Sequence, residues 1–154
     1  MANRCEQLIR KIAKRLHEQQ KAKLWKIPND LRITSSGVLA FGDQSPVDFM
    51  GHTITGRALF VECKDLVSTS CPIGKSGIKP HQWLALEECH RAGGLAILVW
   101  AHMDFISALD MDLIRSLTRG RKSISWKAIP DEWVRPFGEA GIMELFDKHR
   151  IGGS

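Results

Sequence analysis

Near the start of the chain, apolar residues fall at Cys5, Leu8, Ile9, Ile12, Ala13 and Leu16, the spacing of one helical face. The pattern predicts a helix from about residue 3 to about residue 22, with its Lys and Arg side chains turned to solvent. Pro28-Asn29-Asp30 interrupts it. Three strand-like stretches follow, Leu31 to Phe41, Val47 to Ile54 and Arg57 to Lys64, punctuated by Gly42-Asp43 and Thr55-Gly56. Val67 to Lys79, rich in Ser, Thr, Gly and Pro, reads as a loop. Proline is tolerated in a first helical turn, so a second helix is expected to start after Lys79-Pro80 and to end at Gly93-Gly94. The unbroken apolar run from Leu95 to Trp100 has the length and character of a strand buried on both faces. Ile106 to Leu117 reads as helical, Ser123 to Trp126 as a short strand, and Ile142 to His149 as a terminal helix. This order predicts an α/β or α+β domain with a central mixed sheet flanked by helices, and Leu95 to Trp100 as its central strand.

At 154 residues the chain has the size of one domain, so a single unit over 1–154 is expected. An apolar fraction of 44% and a charged fraction of 25% exclude a disordered or fibrous chain. No apolar run reaches the length of a bilayer span. The charged N-terminus has no signal-peptide core, so a cytoplasmic protein is expected. The formal charge of +5 is unevenly spread. Residues 1–26 hold eight Lys and Arg against Glu6 and Glu18, and residues 115–127 hold five basic residues and no acid. Segregated positive charge suits a polyanion, although the same residues also serve simply to solvate helix faces. Cys5, Cys63, Cys71 and Cys89 show no paired zinc-ligand spacing, so reduced, buried thiols are expected.

Two carboxylates stand out. Asp48 is followed fourteen residues later by Glu62 of Glu62-Cys63-Lys64. Strand alternation puts Phe60, Glu62 and Lys64 on one face, and pairing through the turn at Thr55-Gly56 lets Asp48 approach Glu62. Repelling carboxylates are relieved by a divalent cation, and hard oxygen ligands favour Mg²⁺ or Mn²⁺ over zinc. Lys64 would lie beside water bound there and stabilise charge developing on a phosphate. The same residues could equally form a solvated Glu/Lys ladder on an edge strand. Glu6 is either a favourable charge at a helix N-terminus or a third carboxylate reaching the ion. Lys75 and Lys79, before His81-Gln82, are placed to contact a DNA backbone, or alternatively to solvate a helix start. Gly74-Lys75-Ser76 ends like a phosphate-binding loop, but Thr69 stands where the first glycine is required, so that reading fails.

These residues belong to a longer ordered set. Glu6 is followed by Asp48 before Gly51, Glu62-Cys63-Lys64, Thr69-Ser70-Cys71-Pro72-Ile73 and His81-Gln82. Gly93-Gly94-Leu95-Ala96-Ile97 and Gly120-Arg121-Lys122-Ser123-Ile124 complete it. In this order the chain resembles the RecU-type Holliday-junction resolvases of the PD-(D/E)XK nuclease superfamily. The resemblance implies a single PD-(D/E)XK nuclease-like domain and a homodimeric endonuclease that nicks opposed strands of a four-way DNA junction. It implies metal binding by Asp48 and Glu62, with the Cys63 carbonyl helping and Glu6 assisting. Lys64 would position the water, Gln82 would support the site, and Arg121 and Lys122 would touch the DNA backbone. Residues 31–46 read as a shortened form of the family's projecting stalk, which opens two alternatives: a related nuclease acting on other branched or duplex DNA, or a non-catalytic DNA-binding module of the same fold.

Overall fold

The structure is a computed structural model that describes residues 3–28, 45–74 and 76–153, together with the backbone of 31–33 and 39–41. Its first helix, α1 (Arg4–Glu18), buries Cys5, Leu8, Ile9, Ile12 and Leu16, the predicted stripe. Asn3 caps it, its side-chain oxygen accepting from the Glu6 amide at 2.7 Å, which satisfies one otherwise unpaired donor of the first turn. The helix is shorter than expected. It closes at Gln19, and Gln20, at φ 55°, turns the chain into a strand, β1 (Ala22–Lys26).

A short antiparallel pair, β2 (Leu31–Ile33) and β3 (Leu39–Phe41), replaces the single strand expected over Leu31 to Phe41. Most of the remaining stalk-like segment lies outside the described residues. Next come β4 (Phe49–Thr53) and β5 (Ala58–Asp65), antiparallel and paired from Phe49 with Val61 to His52 with Ala58. β6 (Ser70–Pro72) lies within the segment expected to be loop. The second helix, α2 (Pro80–Arg91), starts at the proline and stops before Gly93, as predicted.

β7 (Leu95–His102) is buried along almost its whole length. It pairs parallel with β5 and antiparallel with β8 (Phe105–Asp110). The helix expected over Ile106 to Leu117 is therefore strand in its first half. Ile106, Ser107, Ala108 and Leu109 are all buried, so the segment is covered on both faces and lacks the alternation that marks a one-sided strand. α3 (Met111–Leu117) follows, with the Asp110 carboxylate accepting from the Leu113 amide at 2.9 Å as its N-cap. β9 (Ser123–Ser125) pairs with β6, β10 (Val134–Pro136) pairs with β8, and α4 (Glu139–Lys148) closes the described chain.

The main sheet runs β1-β4-β5-β7-β8-β10, with β5 and β7 at its centre, so the fold is the expected α/β arrangement around a mixed sheet. Residues of α1 and α4 pack on one face with Leu59, Val61, Ile97 and Val99. Residues of α2 and α3 pack on the other with Leu98, Trp100 and Leu109. Each fully buried aliphatic side chain in these layers contributes about 1.5–3 kcal/mol. Among the described residues no helix is long and apolar enough to cross a membrane. All four cysteines are buried and unpaired, as the sequence suggested.

Candidate active site

The carboxylates converge at the ends of β4 and β5. Asp48 immediately precedes β4, and two reciprocal bonds lock it to β5. Its amide donates to Glu62 Oε1 at 3.1 Å, and the Cys63 amide donates to Asp48 Oδ2 at 2.8 Å. Both side chains are buried, Asp48 at 6% exposure and Glu62 at 1%. Sequence alternation required that they share a face, and they do. Glu6 reaches the same cavity from α1 and lies close enough to Asp48 for the two charges to repel.

The approach of α1 is fixed by more than its apolar stripe. Arg4 grips Asp65 at the end of β5 with two bonds, Nε to Oδ2 at 3.0 Å and Nη2 to Oδ1 at 3.2 Å. The same guanidinium donates to the Met103 carbonyl at 2.7 Å and lies over the Phe137 ring. Paired bonds of this geometry orient as well as attract. They tie the first turn of α1, and with it Glu6, to the end of the sheet.

Two ammonium groups accompany the acids. Lys64 Nζ lies 2.9 Å from Glu62 Oε2 and donates to Gln82 Oε1 at 3.1 Å. Gln82 Oε1 also accepts from the Lys79 amide at 3.0 Å, so the residue that closes the first turn of α2 also holds Lys64. Lys26, at the end of β1, places Nζ 3.7 Å from Asp48 Oδ1 and donates to the Ile27 carbonyl at 3.0 Å.

Burial, and next the charge of Asp48, push the Glu62 carboxyl up to about 7, against the opposing pull of Lys64. Glu6 is raised as well, first by burial and then by Asp48, with Lys26 and Arg10 opposing. Desolvation is the larger cause of both shifts and the crowded Asp48 charge the second.

A cavity of about 400 Å³ opens over this cluster. Glu6, Asp48, Glu62, Lys64, Lys79, His81 and Gln82 all line it, so most of the predicted site residues meet in one place. Cys63 also borders it, but its thiol is buried and is driven well above the usual thiol range, chiefly by burial. That leaves its backbone as the part able to serve the site. Arg121 and Lys122 are exposed and do not line the cavity. They sit beside β9, where the Lys122 carbonyl accepts from the Ile73 amide at 2.8 Å, next to the segment that leads to Ser76 and Lys79 on the rim. Lys75 lies outside the described residues.

Sequence reasoning missed Lys26, which lies between the expected helix end near residue 22 and Pro28 and figures there only as one of the basic residues of 1–26. Asn3, Ser45, Asp65 and Ser76, which also line the cavity, were missed too. The alternation of buried Ala22 and Leu24 with Lys23 and Trp25 was the available signal for a strand.

Among the described residues, no three His, Cys, Asp or Glu side chains form a ready-made metal-ligand set. The donor chemistry nevertheless fits a hard cation. Mg²⁺ commonly binds through one or two carboxylates and keeps several waters, and Asp48 and Glu62 supply two carboxylates at the edge of an open polar cavity. No family profile matches the chain, and no curated protein matches it.

Proposed function

We propose that the chain is a metal-dependent DNA endonuclease of the PD-(D/E)XK type, working as a homodimer on branched DNA such as the four-way junction. One observation carries the catalytic reading. Three carboxyl groups from α1, the start of β4 and β5 crowd together beside Lys64 in a single cavity. The choice of branched DNA rests on the ordered resemblance to RecU-type resolvases.

Asp48 and Glu62 would hold Mg²⁺ or Mn²⁺, with the Cys63 backbone and Glu6 assisting. A divalent ion bound there polarises a phosphate oxygen and lowers the pKa of a coordinated water. The chain's own groups do the rest. Attack of water on phosphorus makes one P–O bond and breaks another, leaving charge on the phosphate oxygens and on the departing oxygen. Lys64 is held between Glu62 and Gln82, so its charge is fixed in place before the reaction, which is where such stabilisation is most effective. His81 and Lys79 line the cavity and suit contact with backbone phosphates, and the exposed Arg121 and Lys122 would extend such contact beyond it.

The test is cleavage of a labelled four-way junction with Mg²⁺ or Mn²⁺. Paired nicks in opposed strands are expected, and Asp48→Asn or Lys64→Ala is expected to abolish them while junction binding persists. A wild-type protein that binds the junction but nicks it with neither ion refutes the enzyme reading. Equal cleavage of linear duplex refutes the preference for branched DNA.

A further inference from the structure

A second surface runs from the carboxylates toward the sheet edge. Strand pairing places Trp25, Met50 and Phe60 in one rung across β1, β4 and β5, with Lys23, His52 and Ala58 in the next. Asp48 lies two residues before Met50, about 7 Å along the strand, and shares its face by alternation. A phosphate held at Asp48 and Glu62 therefore has its flanking nucleotide within reach of the Trp25 rung.

Trp25 is half exposed, although an indole buries a large apolar surface when it can. Lys23 Nζ stands 5.4 Å from its ring centre, and the His52 ring lies 5.9 Å away at a tilt. Beyond them is a shallow cavity of about 210 Å³ lined by His17, Gln20, Ala22, Lys23, His52 and Ile54, none of them acidic. An exposed indole flanked by Lys23 and His52, beside a cavity with no acid among its described lining residues, has the chemistry of a base-stacking platform with adjacent phosphate contacts.

We propose that Trp25, with Lys23 and His52 beside it, stacks an unpaired base next to the phosphate bound at the carboxylates. The occupant is a single-stranded segment of nucleic acid. A base inside a continuous duplex is already stacked on its neighbours and cannot offer its face. The proposal rests on the nuclease reading for the position of the phosphate, and it narrows the substrate to branched DNA in which a base beside the nicked phosphate leaves its stack at the branch point.

Binding is measured with Ca²⁺, a hard cation that takes carboxylate oxygens but, being larger, activates water poorly, so that cleavage plays no part, using an oligothymidylate strand and a blunt duplex of equal length. Tryptophan emission and fluorescence anisotropy are followed for the wild type, Trp25→Phe and Trp25→Ala. Trp25→Ala is expected to weaken single-strand binding about 5- to 100-fold, to lose part of the emission quenching, and to leave duplex binding unchanged. Trp25→Phe, which keeps an aromatic face, is expected to recover most of the affinity. Equal single-strand binding by wild type and Trp25→Ala overturns the proposal, as does an equal loss on duplex or no binding of the strand by wild type. Sedimentation of all three proteins adds a further check, because a dimer lost in Trp25→Ala assigns the surface to a second copy and overturns the proposal. The two readings fail separately. Strand binding that depends on Trp25 in a protein that never cleaves DNA sinks the nuclease reading alone, whereas junction cleavage with no role for Trp25 sinks the platform alone.

Discussion

Replacing Glu62 with glutamine removes a charge from a side chain that is 1% exposed while keeping its shape. Only one of its two contacts can survive, because the Asp48 amide uses Oε1 and Lys64 uses Oε2, whereas glutamine offers one acceptor oxygen and an amino group that only donates. The test therefore lies in how the difference between the two proteins changes with pH. The glutamate carboxyl is raised from 4.5 to about 7, by burial and then by Asp48. A carboxyl whose pKa is higher in the folded than in the unfolded protein stabilises the fold only while protonated. Its contribution is full below 4.5 and is lost as the pH rises through about 7. That displacement corresponds to about 3 kcal/mol, at about 1.4 kcal/mol for each pH unit. Urea unfolding of both proteins in EDTA, from about pH 4 to about pH 8, isolates the effect in their difference, since the other titrating groups are common to both. Glu62→Gln is expected to gain about 3 kcal/mol on the wild type across that interval. Adding Mn²⁺ at the upper end is then expected to stabilise the wild type, by about 2.7 kcal/mol when the ion is at a hundred times its Kd, and to leave the variant nearly unchanged. A difference that does not vary with pH refutes the account of a crowded, desolvated carboxylate. Equal stabilisation of both proteins by the ion refutes the role of Glu62 in holding it.

Two further predictions probe the supports of the site. Gln82→Ala removes the acceptor shared by Lys64 and the Lys79 amide, so it should cost about 1 kcal/mol in urea unfolding and slow junction cleavage about tenfold with junction binding preserved. Gly51→Ala would put a Cβ 1.7 Å from the Lys23 carbonyl oxygen and push β1 away from β4. The expected loss is about 1–3 kcal/mol or more by thermal unfolding, and stability equal to wild type would show that β1 does not lie this close.

The legible parts of the molecule are those where one face is wet and the other dry. The stripe of α1, the proline at the start of α2 and the apolar run of β7 each announce their element, and alternation along β5 places Glu62 and Lys64 together. Elsewhere the pattern that sequence reading relies on is absent. β8 is buried on both faces, so it shows no period of two. β6, β9 and β10 have three residues each, too few to show any period. β1 carries Lys23 and Lys26 directly after a basic helix, so its charges merge with that helix's into one basic stretch and give no sign of a strand. What makes it a strand is tertiary: a left-handed turn at Gln20 and a glycine at position 51 that admits its backbone. Lys26 went unread for the same reason, because its approach to Asp48 follows from the register of β1 against β4 and from nothing near it in sequence.

The charge arrangement itself argues for a ligand. Glu6, Asp48 and Glu62 crowd together, and although Lys26, Lys64 and Arg10 oppose their charge, burial and the neighbouring Asp48 still raise the Glu62 and Glu6 carboxyls. A purely structural buried cluster gains little from such crowding, since an apolar or amide replacement of similar shape is commonly as stable or more so. The backbone also prevents relief by movement. Asp48 and Glu62 are each bonded to the amide of the opposing segment, and Glu6 is carried by a helix anchored through Arg4. Without a ligand, the relief left to these rigid groups is a retained proton, which is what the raised Glu62 and Glu6 carboxyls express. A cation entering the cavity would take over the proton's role, so the same rigidity that makes the site costly when empty would make it selective for a small, hard ion when filled.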